Sequence, residues 1–275
     1  MKRIIVPTDF SEASKNAARY AVQLADSIPG TTILLYNLTD KIALGSDSSP
    51  LTEDKNDRFL VLQAALNNLK TDLGELSGVA VELVVDEGTS LTESLERYVR
   101  HNGIDLIIMG ITGATRLEQI FMGSNALNVV NVGTCPVIIV PPNAVYKPIN
   151  KILFACDFKN VSTTIPVAPI KSILNLFKPT VLIVNVDTDH YVEVSDEYKS
   201  QRAILEKLFQ EYTPEFYFIR MYDFQDSISS FAADRDIDLI LTIPRKHHFL
   251  TGLFKTSHTK KLAYHSHVPI LAVHE

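Results

Sequence analysis

Cysteine is scarce in this 275-residue sequence, which contains only Cys135 and Cys156. Two isolated cysteines are too few for a disulfide framework or for a cysteine-rich zinc site. Each borders a predicted strand, where cysteine usually behaves as a small buried apolar side chain. We therefore exclude the disulfide-rich and zinc-finger classes and expect both cysteines to be small buried apolar side chains.

Basic stretches are also lacking, and the formal net charge is −6. The nearest approach to a basic cluster is sparse and mixed with histidine: Arg245, Lys246, Lys255, Lys260 and Lys261. We interpret it as a solvated face, since nucleic-acid binding needs a denser positive surface. No nucleic-acid partner is expected.

Long apolar runs are missing as well. No stretch approaches the ~18 apolar residues that a membrane span needs. The apolar run at residues 4–7 is too short for the core of a signal peptide. We therefore expect no membrane association and a cytoplasmic location.

The sequence does contain short β-branched runs that alternate with segments of helical period. Apolar residues make up 46% and charged residues 21%, as in ordinary globular proteins. Strands are predicted at residues 3–7, 32–38, 79–85, 105–109 and 136–140, with helices after Ser11 and at residues 54–73, 90–101 and 123–132. Apolar strands between amphipathic helices indicate an α/β protein with a parallel sheet covered on both faces.

The same pattern then starts again. Residues 2–10 align with residues 150–158 at an offset of 148. Two later strands align at an offset of 133, residues 105–108 with 238–241 and residues 136–140 with 269–273. The second copy is therefore shorter by 148 minus 133, or 15 residues. We predict two domains that arose by duplication, spanning residues 1–142 and 148–275.

A glycine pattern follows the fourth predicted strand: Gly110, Gly113 and, nine residues later, Gly123 and Ser124. Glycines let backbone amides approach an anion closely, and the start of the following helix offers unpaired amides. Open α/β sheets bind ligands at the carboxyl ends of their strands. A Walker A loop and a GxGxxG fingerprint are both absent. The pattern favours a phosphate-binding loop over a simple strand end and helix cap.

This glycine pattern, together with Val-Pro-Thr-Asp-Phe-Ser at residues 6–11, resembles the universal stress protein family, and the doubling resembles its tandem members. The resemblance implies two tandem repeats of an open, mostly parallel five-stranded sheet flanked by helices. This is the doubly wound fold of the adenine-nucleotide alpha hydrolase type. It also implies ATP or a related adenine nucleotide, with Mg²⁺, as the ligand, and a stress-response regulatory role.

The resemblance also assigns roles to residues. Asp9 would bond ribose or adenine beside Pro7 and Thr8, the Asn37 backbone would meet the adenine edge, and Met109 would pack on the sugar or base. The phosphates would contact Gly110, Thr112, Gly113, Gly123, Ser124 and Asn125. Asn37 departs from the family, which usually has an aliphatic residue there. Taken by itself, Asp9 could equally be a carboxylate that accepts amides of the following helix.

The second copy lacks the glycines. At offset 133, Gly110, Gly113 and Gly123 are replaced by Ile243, Lys246 and Thr256, while Ser257 keeps the serine. Side chains there would block close backbone approach. We expect one nucleotide per chain.

In the family the last strands pair across a dimer, so we also expect an internal pseudo-dimer through residues 137–140 and 270–273. A further homodimer and the identity of protein partners stay open.

Histidine is concentrated near the end of the sequence: His247, His248, His258, His265, His267 and His274. Their spacing matches no standard zinc motif, and we expect solvent-facing or helix-terminal side chains, with no metal.

No catalytic set accompanies the glycine loop, so we expect at most a slow ATPase. Two alternatives remain: a nucleotide-free interaction adaptor with a vestigial loop, and a slow ATP hydrolase.

Overall fold

The computed structural model describes residues 2–40, 52–111, 124–187, 196–220, 224–244 and 268–274. These residues form two compact units, the first ending at Pro142 and the second beginning at Asn143. Among the described helices, none is both long and apolar enough to cross a membrane.

The first unit alternates strands and helices along the chain. Its elements are β1 (Arg3–Pro7), α1 (Glu12–Asp26), β2 (Thr32–Asp40), α2 (Thr52–Gly74), β3 (Ala80–Gly88), α3 (Leu91–Asn102), β4 (Leu106–Gly110), α4 (Ser124–Val132) and β5 (Val137–Val140). The strands lie in the order β3-β2-β1-β4-β5, and each adjacent pair is parallel. This confirms the predicted α/β class.

The second unit repeats this architecture. Its elements are β6 (Lys151–Ala155), α5 (Val161–Thr164), α6 (Val167–Phe177), β7 (Thr180–Asp187), α7 (Asp196–Phe209), a 3₁₀ turn (Gln210–Tyr212), β8 (Glu215–Arg220), α8 (Phe224–Asp234), β9 (Leu239–Thr242) and β10 (Ile270–Ala272). Its strand order, β10-β9-β6-β7-β8, is again parallel and corresponds strand for strand to the first unit.

The core of the first unit forms where apolar strands meet small helical residues. Ile4, Ile5 and Val6 of β1 are fully buried. One face of α1 is buried as well, including Ala17 and Ala21. Alanines bring the helix close to the sheet because they present little side chain to the strands.

Side chains and a glycine cap the ends of the helices. The Ser11 side chain accepts from the Ser14 amide at the start of α1. At α3 the Ser90 side chain accepts from the Glu93 amide, and Gly103 ends the helix in the left-handed conformation with φ of 60°. These caps satisfy amides and carbonyls that the helices leave unpaired.

The helix after the first strand differs between the two units. In the first unit α1 is continuous over 15 residues. In the second unit, α5 ends at Thr164 and α6 begins at Val167, with Pro166 between them. Proline lacks an amide hydrogen and disfavours helical backbone in the preceding residue, and Ile165 is indeed extended.

Each unit ties the start of its first strand to the start of a neighbouring strand through one carboxylate. Asp105 Oδ2 accepts from the amides of Lys2 at 2.6 Å and Arg3 at 3.0 Å. Asp238 Oδ2 accepts from the amides of Asn150 and Lys151, both at 2.9 Å. The two aspartates are those that align at offset 133, so their alignment reflects a shared structural bond.

Gly110 allows β4 to contact the first turn of α1. A Cβ at this position would overlap the carbonyl group of Ala13, and it would also lie 3.1 Å from the Ser14 amide nitrogen. The obstacle is backbone, which cannot rotate away as a flexible side chain can. Gly110 therefore has a packing role that is independent of any ligand.

We expect Asp105→Ala to lower the free energy of unfolding by about 1–3 kcal/mol, because two amides lose a charged acceptor. Urea unfolding followed by circular dichroism measures this. Asp105→Asn, which keeps a neutral acceptor, should fall between the wild type and the alanine variant. Asp72→Ala, at an exposed position of α2, is the control, and equal midpoints for the two alanine variants would contradict the bond's importance.

We expect Gly110→Ala to lower the free energy of unfolding by about 1–3 kcal/mol, because the added methyl group forces β4 and α1 apart. Gly74→Ala is the matched control, since a Cβ there would meet nothing within 4 Å. The same urea experiment compares them. If both glycine variants are as stable as the wild type, the close contact does not constrain the fold.

Candidate functional site

The strand order of the first unit creates a crevice next to β1. The chain passes from β1 to β2 on one side, while β4 lies on the other side of β1. At such a change of direction the connections leave the sheet on opposite faces, which opens a ligand site at the carboxyl ends. Several predicted site residues come together at this crevice. Pro7 ends β1, and Thr8 and Asp9 follow it. Met109 and Gly110 end β4.

Side chains build the turn between β1 and α1. The Phe10 amide donates to Thr8 Oγ1 at 3.0 Å, and Thr8 Oγ1 also shares a hydrogen bond with Ser14 Oγ at 3.0 Å. Asp9 Oδ1 accepts from the Ser11 amide at 3.0 Å and from the Ser11 hydroxyl at 2.6 Å. The turn is therefore fixed by the chain's own groups before any ligand binds.

Asp9 is exposed at this turn and negatively charged. Burial of part of its carboxyl group raises the pKa, but the hydrogen bonds from Ser11 outweigh that effect and hold the pKa below its usual value. The group is therefore ionised at neutral pH. Its bonds to Ser11 give it the structural role anticipated as the alternative, while its contact with a nucleoside stays a prediction.

Asn37 joins β2 to the same turn. Its side chain is 7% exposed, and Nδ2 donates to the Thr8 carbonyl at 2.8 Å. Its Oδ1 is buried and has no hydrogen-bond partner among the described residues, and the same is true of Thr39 Oγ1, two residues further along the strand. Two unpaired buried oxygens at one strand end are costly, at about 1–3 kcal/mol each, unless a donor beyond the described residues meets them.

The glycine loop is only partly within the described residues. Thr112, Gly113 and Gly123 lie outside them, α4 begins at Ser124, and Asn125 is exposed. Met109 is 6% exposed, so its side chain belongs to the core in this structure. The predicted phosphate contacts stay predictions.

The second unit preserves the turn after its first strand, but it has no glycine at the position that corresponds to Gly110. The Phe158 amide donates to Cys156 Sγ, the Lys159 amide donates to Asp157 Oδ1, and Asn185 Nδ2 donates to the Cys156 carbonyl at 3.0 Å. Ile243, at the position of Gly110, is buried and carries a branched side chain. Lys246, Thr256 and Ser257 lie outside the described residues.

The sequence analysis missed the paired roles of Asn37 and Asn185. They are separated by 148 residues, which is the offset that aligned the two first strands. Extending that alignment beyond the first strand would have found them. No sequence pattern marks Thr39, because what distinguishes it is a hydroxyl oxygen without a hydrogen-bond partner among the described residues.

The predicted absence of a metal concerned the histidines near the end of the sequence. His247, His248, His258, His265 and His267 lie outside the described residues, whereas His274 lies within them and is half-buried. Within the described ranges, His, Cys, Asp and Glu form no group of three or more that could hold a metal ion.

Known proteins resemble both units. The model of the Universal stress protein family matches residues 1–141 and 177–274. The universal stress protein MJ0531 of Methanocaldococcus jannaschii is 31% identical over 146 residues, covering 50% of this chain and 81% of the relative. MJ0577 of the same organism is 27% identical over 154 residues, covering 50% of this chain and 94% of the relative.

Among solved structures, a universal stress protein from Archaeoglobus fulgidus shares the fold over nearly the whole length. Its TM-score is 0.67 at 16% sequence identity, and the match covers 99% of this chain and 98% of that one. Together, the two family matches and the shared fold show that the chain belongs to the universal stress protein family and carries two of its domains in tandem.

Proposed function

We propose that the first unit binds an adenine nucleotide, ATP with Mg²⁺, at the carboxyl ends of β1, β2 and β4, and that occupancy of this site regulates a stress response. The observation that carries the proposal is a pair of buried oxygens at the carboxyl end of β2, Asn37 Oδ1 and Thr39 Oγ1, which have no partner in the part of the chain that the structure describes. Buried acceptors call for donors, and a nucleoside supplies them as an exocyclic amine and as ribose hydroxyls.

Charge and geometry support the same ligand. The ionised Asp9 carboxylate is held at the turn by Ser11 and is exposed, so its remaining acceptor capacity can serve ribose hydroxyls. On the other side of β1, the chain leaves β4 at Gly110 and enters α4 at Ser124. The start of this nine-residue helix offers unpaired amides, which suit phosphate groups. Base and phosphates would thus lie on opposite sides of the β1 end.

A single nucleotide per chain follows from the difference between the units. Where Gly110 stands in the first unit, the second has the buried Ile243. Gly113 and Gly123 are likewise replaced, by Lys246 and Thr256. A loop with these side chains cannot bring its amides to a phosphate as closely as glycines can.

The nucleotide should raise the melting temperature of the protein. A ligand that binds only the folded state at 100 times its Kd stabilises it by about 2.7 kcal/mol, which corresponds to several degrees. Differential scanning calorimetry with ATP and Mg²⁺ measures this, and isothermal titration calorimetry should give one site per chain. An unmoved melting curve, or two equal sites, would contradict the proposal.

Gly123→Val should weaken ATP binding by at least about tenfold, because a branched side chain blocks the approach of phosphate to the loop. Thr256→Val is the matched control at the corresponding position of the second unit, and ATP should bind it as it binds the wild type. Titration calorimetry of the two variants at the same Mg²⁺ concentration provides the comparison. Equal loss of affinity in both would remove the assignment to the first unit.

A nucleotide-free interaction protein is the second candidate function. It is favoured by an exposed apolar run on α2, where Phe59, Leu60 and Val61 are 45%, 59% and 66% exposed. Apolar surface of this kind is typical of protein contacts. The melting experiment with ATP separates the two candidates, because only the first requires a response to nucleotide.

A further inference from the structure

Both units hold a phenylalanine in a strained conformation directly after their first strand. Phe10 has φ of 63° and Phe158 has φ of 54°. The left-handed region costs a residue with a Cβ roughly 1–2 kcal/mol, and aromatic residues are not among those that tolerate it well. Outliers of this kind tend to persist at functional sites.

The phenylalanine has been kept although its neighbours have changed. The side chain that accepts from its amide is Thr8 in the first unit and Cys156 in the second. The residue that follows it is Ser11 in one unit and Lys159 in the other. A ring that survives in a costly conformation while its surroundings diverge points to a role for the ring itself.

In the second unit, another ring of the same chain covers this phenylalanine. Phe158 is 3% exposed. Tyr198 of α7 stacks on it with ring centroids 4.8 Å apart and planes 19° apart. Phe216 and Phe218 of β8 complete the cluster, Phe216 edge-on to Phe158 and Phe218 edge-on to Tyr198.

In the first unit, the corresponding ring is half-buried, and no aromatic ring of the described residues contacts Phe10. The strand pairing shows what has replaced the cluster. Phe218 pairs with Asn185, whereas Val85 pairs with Asn37. A smaller aliphatic side chain, Val85, thus stands where the second unit has Phe218.

We propose that Phe10 is the platform on which the base of the bound nucleotide stacks, and that Tyr198 takes the corresponding place in the second unit. This inference rests on the proposed function and adds the residue that contacts the face of the base. The ligand class is a nucleotide with a purine ring, since sequence-tolerant stacking on aromatic side chains is a general way to hold bases.

The unpaired acceptor of Asn37 agrees with this arrangement. The Asn37 amide is bonded to the carbonyl of Thr8, two residues before Phe10. The Asn37 side chain therefore lies beside the turn that holds Phe10. A purine stacked on Phe10 would present its face to the ring and its edge, with the exocyclic amine, to acceptors at the end of β2.

The test compares Phe10→Leu with Phe158→Leu in the full chain. Leucine keeps apolar bulk without β-branching, so both variants carry the same backbone cost at the same turn. By titration calorimetry, we expect Phe10→Leu to weaken ATP binding by about tenfold, within the range of base–aromatic stacking. Inorganic tripolyphosphate, which has no base, should bind as it binds the wild type, and Phe158→Leu should change neither affinity.

Proton NMR of the nucleotide gives a readout that a merely structural role would not move. The H2 and H8 resonances of adenine should shift upfield on binding to the wild type, because they lie over the Phe10 ring, and this shift should be lost in Phe10→Leu. Phe10→Tyr keeps the ring and should retain both the affinity within about twofold and the shift.

Three results would overturn the proposal. Wild-type affinity and shifts in Phe10→Leu would show that the ring does not contact the base, while nucleotide binding itself would stand. Equal loss of affinity in Phe10→Leu and Phe10→Tyr would show that only the turn's structure matters. Failure of the wild type to bind ATP would remove the proposed function and this inference together.

Discussion

The contact between the end of β4 and the first turn of α1 is the constraint on which the first unit depends. It exists because Gly110 has no side chain, so the backbone of Ala13 can occupy the space of a Cβ. With α1 fixed against β4, its cap Ser11 is fixed as well, and Ser11 in turn holds the carboxylate of Asp9. Gly110 thus allows the close contact that holds α1 and its cap beside Asp9.

Comparison of the two units separates what the fold requires from what a ligand requires. The aspartates that accept two strand amides, Asp105 and Asp238, occur in both units. So do the amides of Asn37 and Asn185, which join the second strand to the turn. These bonds satisfy backbone groups of the sheet itself, and a unit without a ligand still needs them.

The features that differ lie around the crevice. The continuous helix α1 corresponds to α5 and α6, which are separated at Pro166. Ile243 replaces Gly110, and the stack of Tyr198 on Phe158 has no counterpart among the described residues of the first unit. In the second unit a side chain replaces the glycine, and a second ring covers the phenylalanine. In the first unit the glycine has no side chain, and the phenylalanine ring is half-buried. Duplication followed by such replacements explains how the two units of one chain came to differ here.

The sequence by itself determined the fold class, the duplication and the family. These follow from periodicity, offsets and short motifs, which are local or repeated properties of the chain. Only the tertiary structure showed that Gly110 packs against Ala13, that Asn37 bonds Thr8 and that Tyr198 covers Phe158. Such contacts join residues that are far apart in the chain, and their partners depend on which strands lie side by side. The unpaired oxygens of Asn37 and Thr39 could be recognised only there, because a missing partner leaves no trace in a sequence.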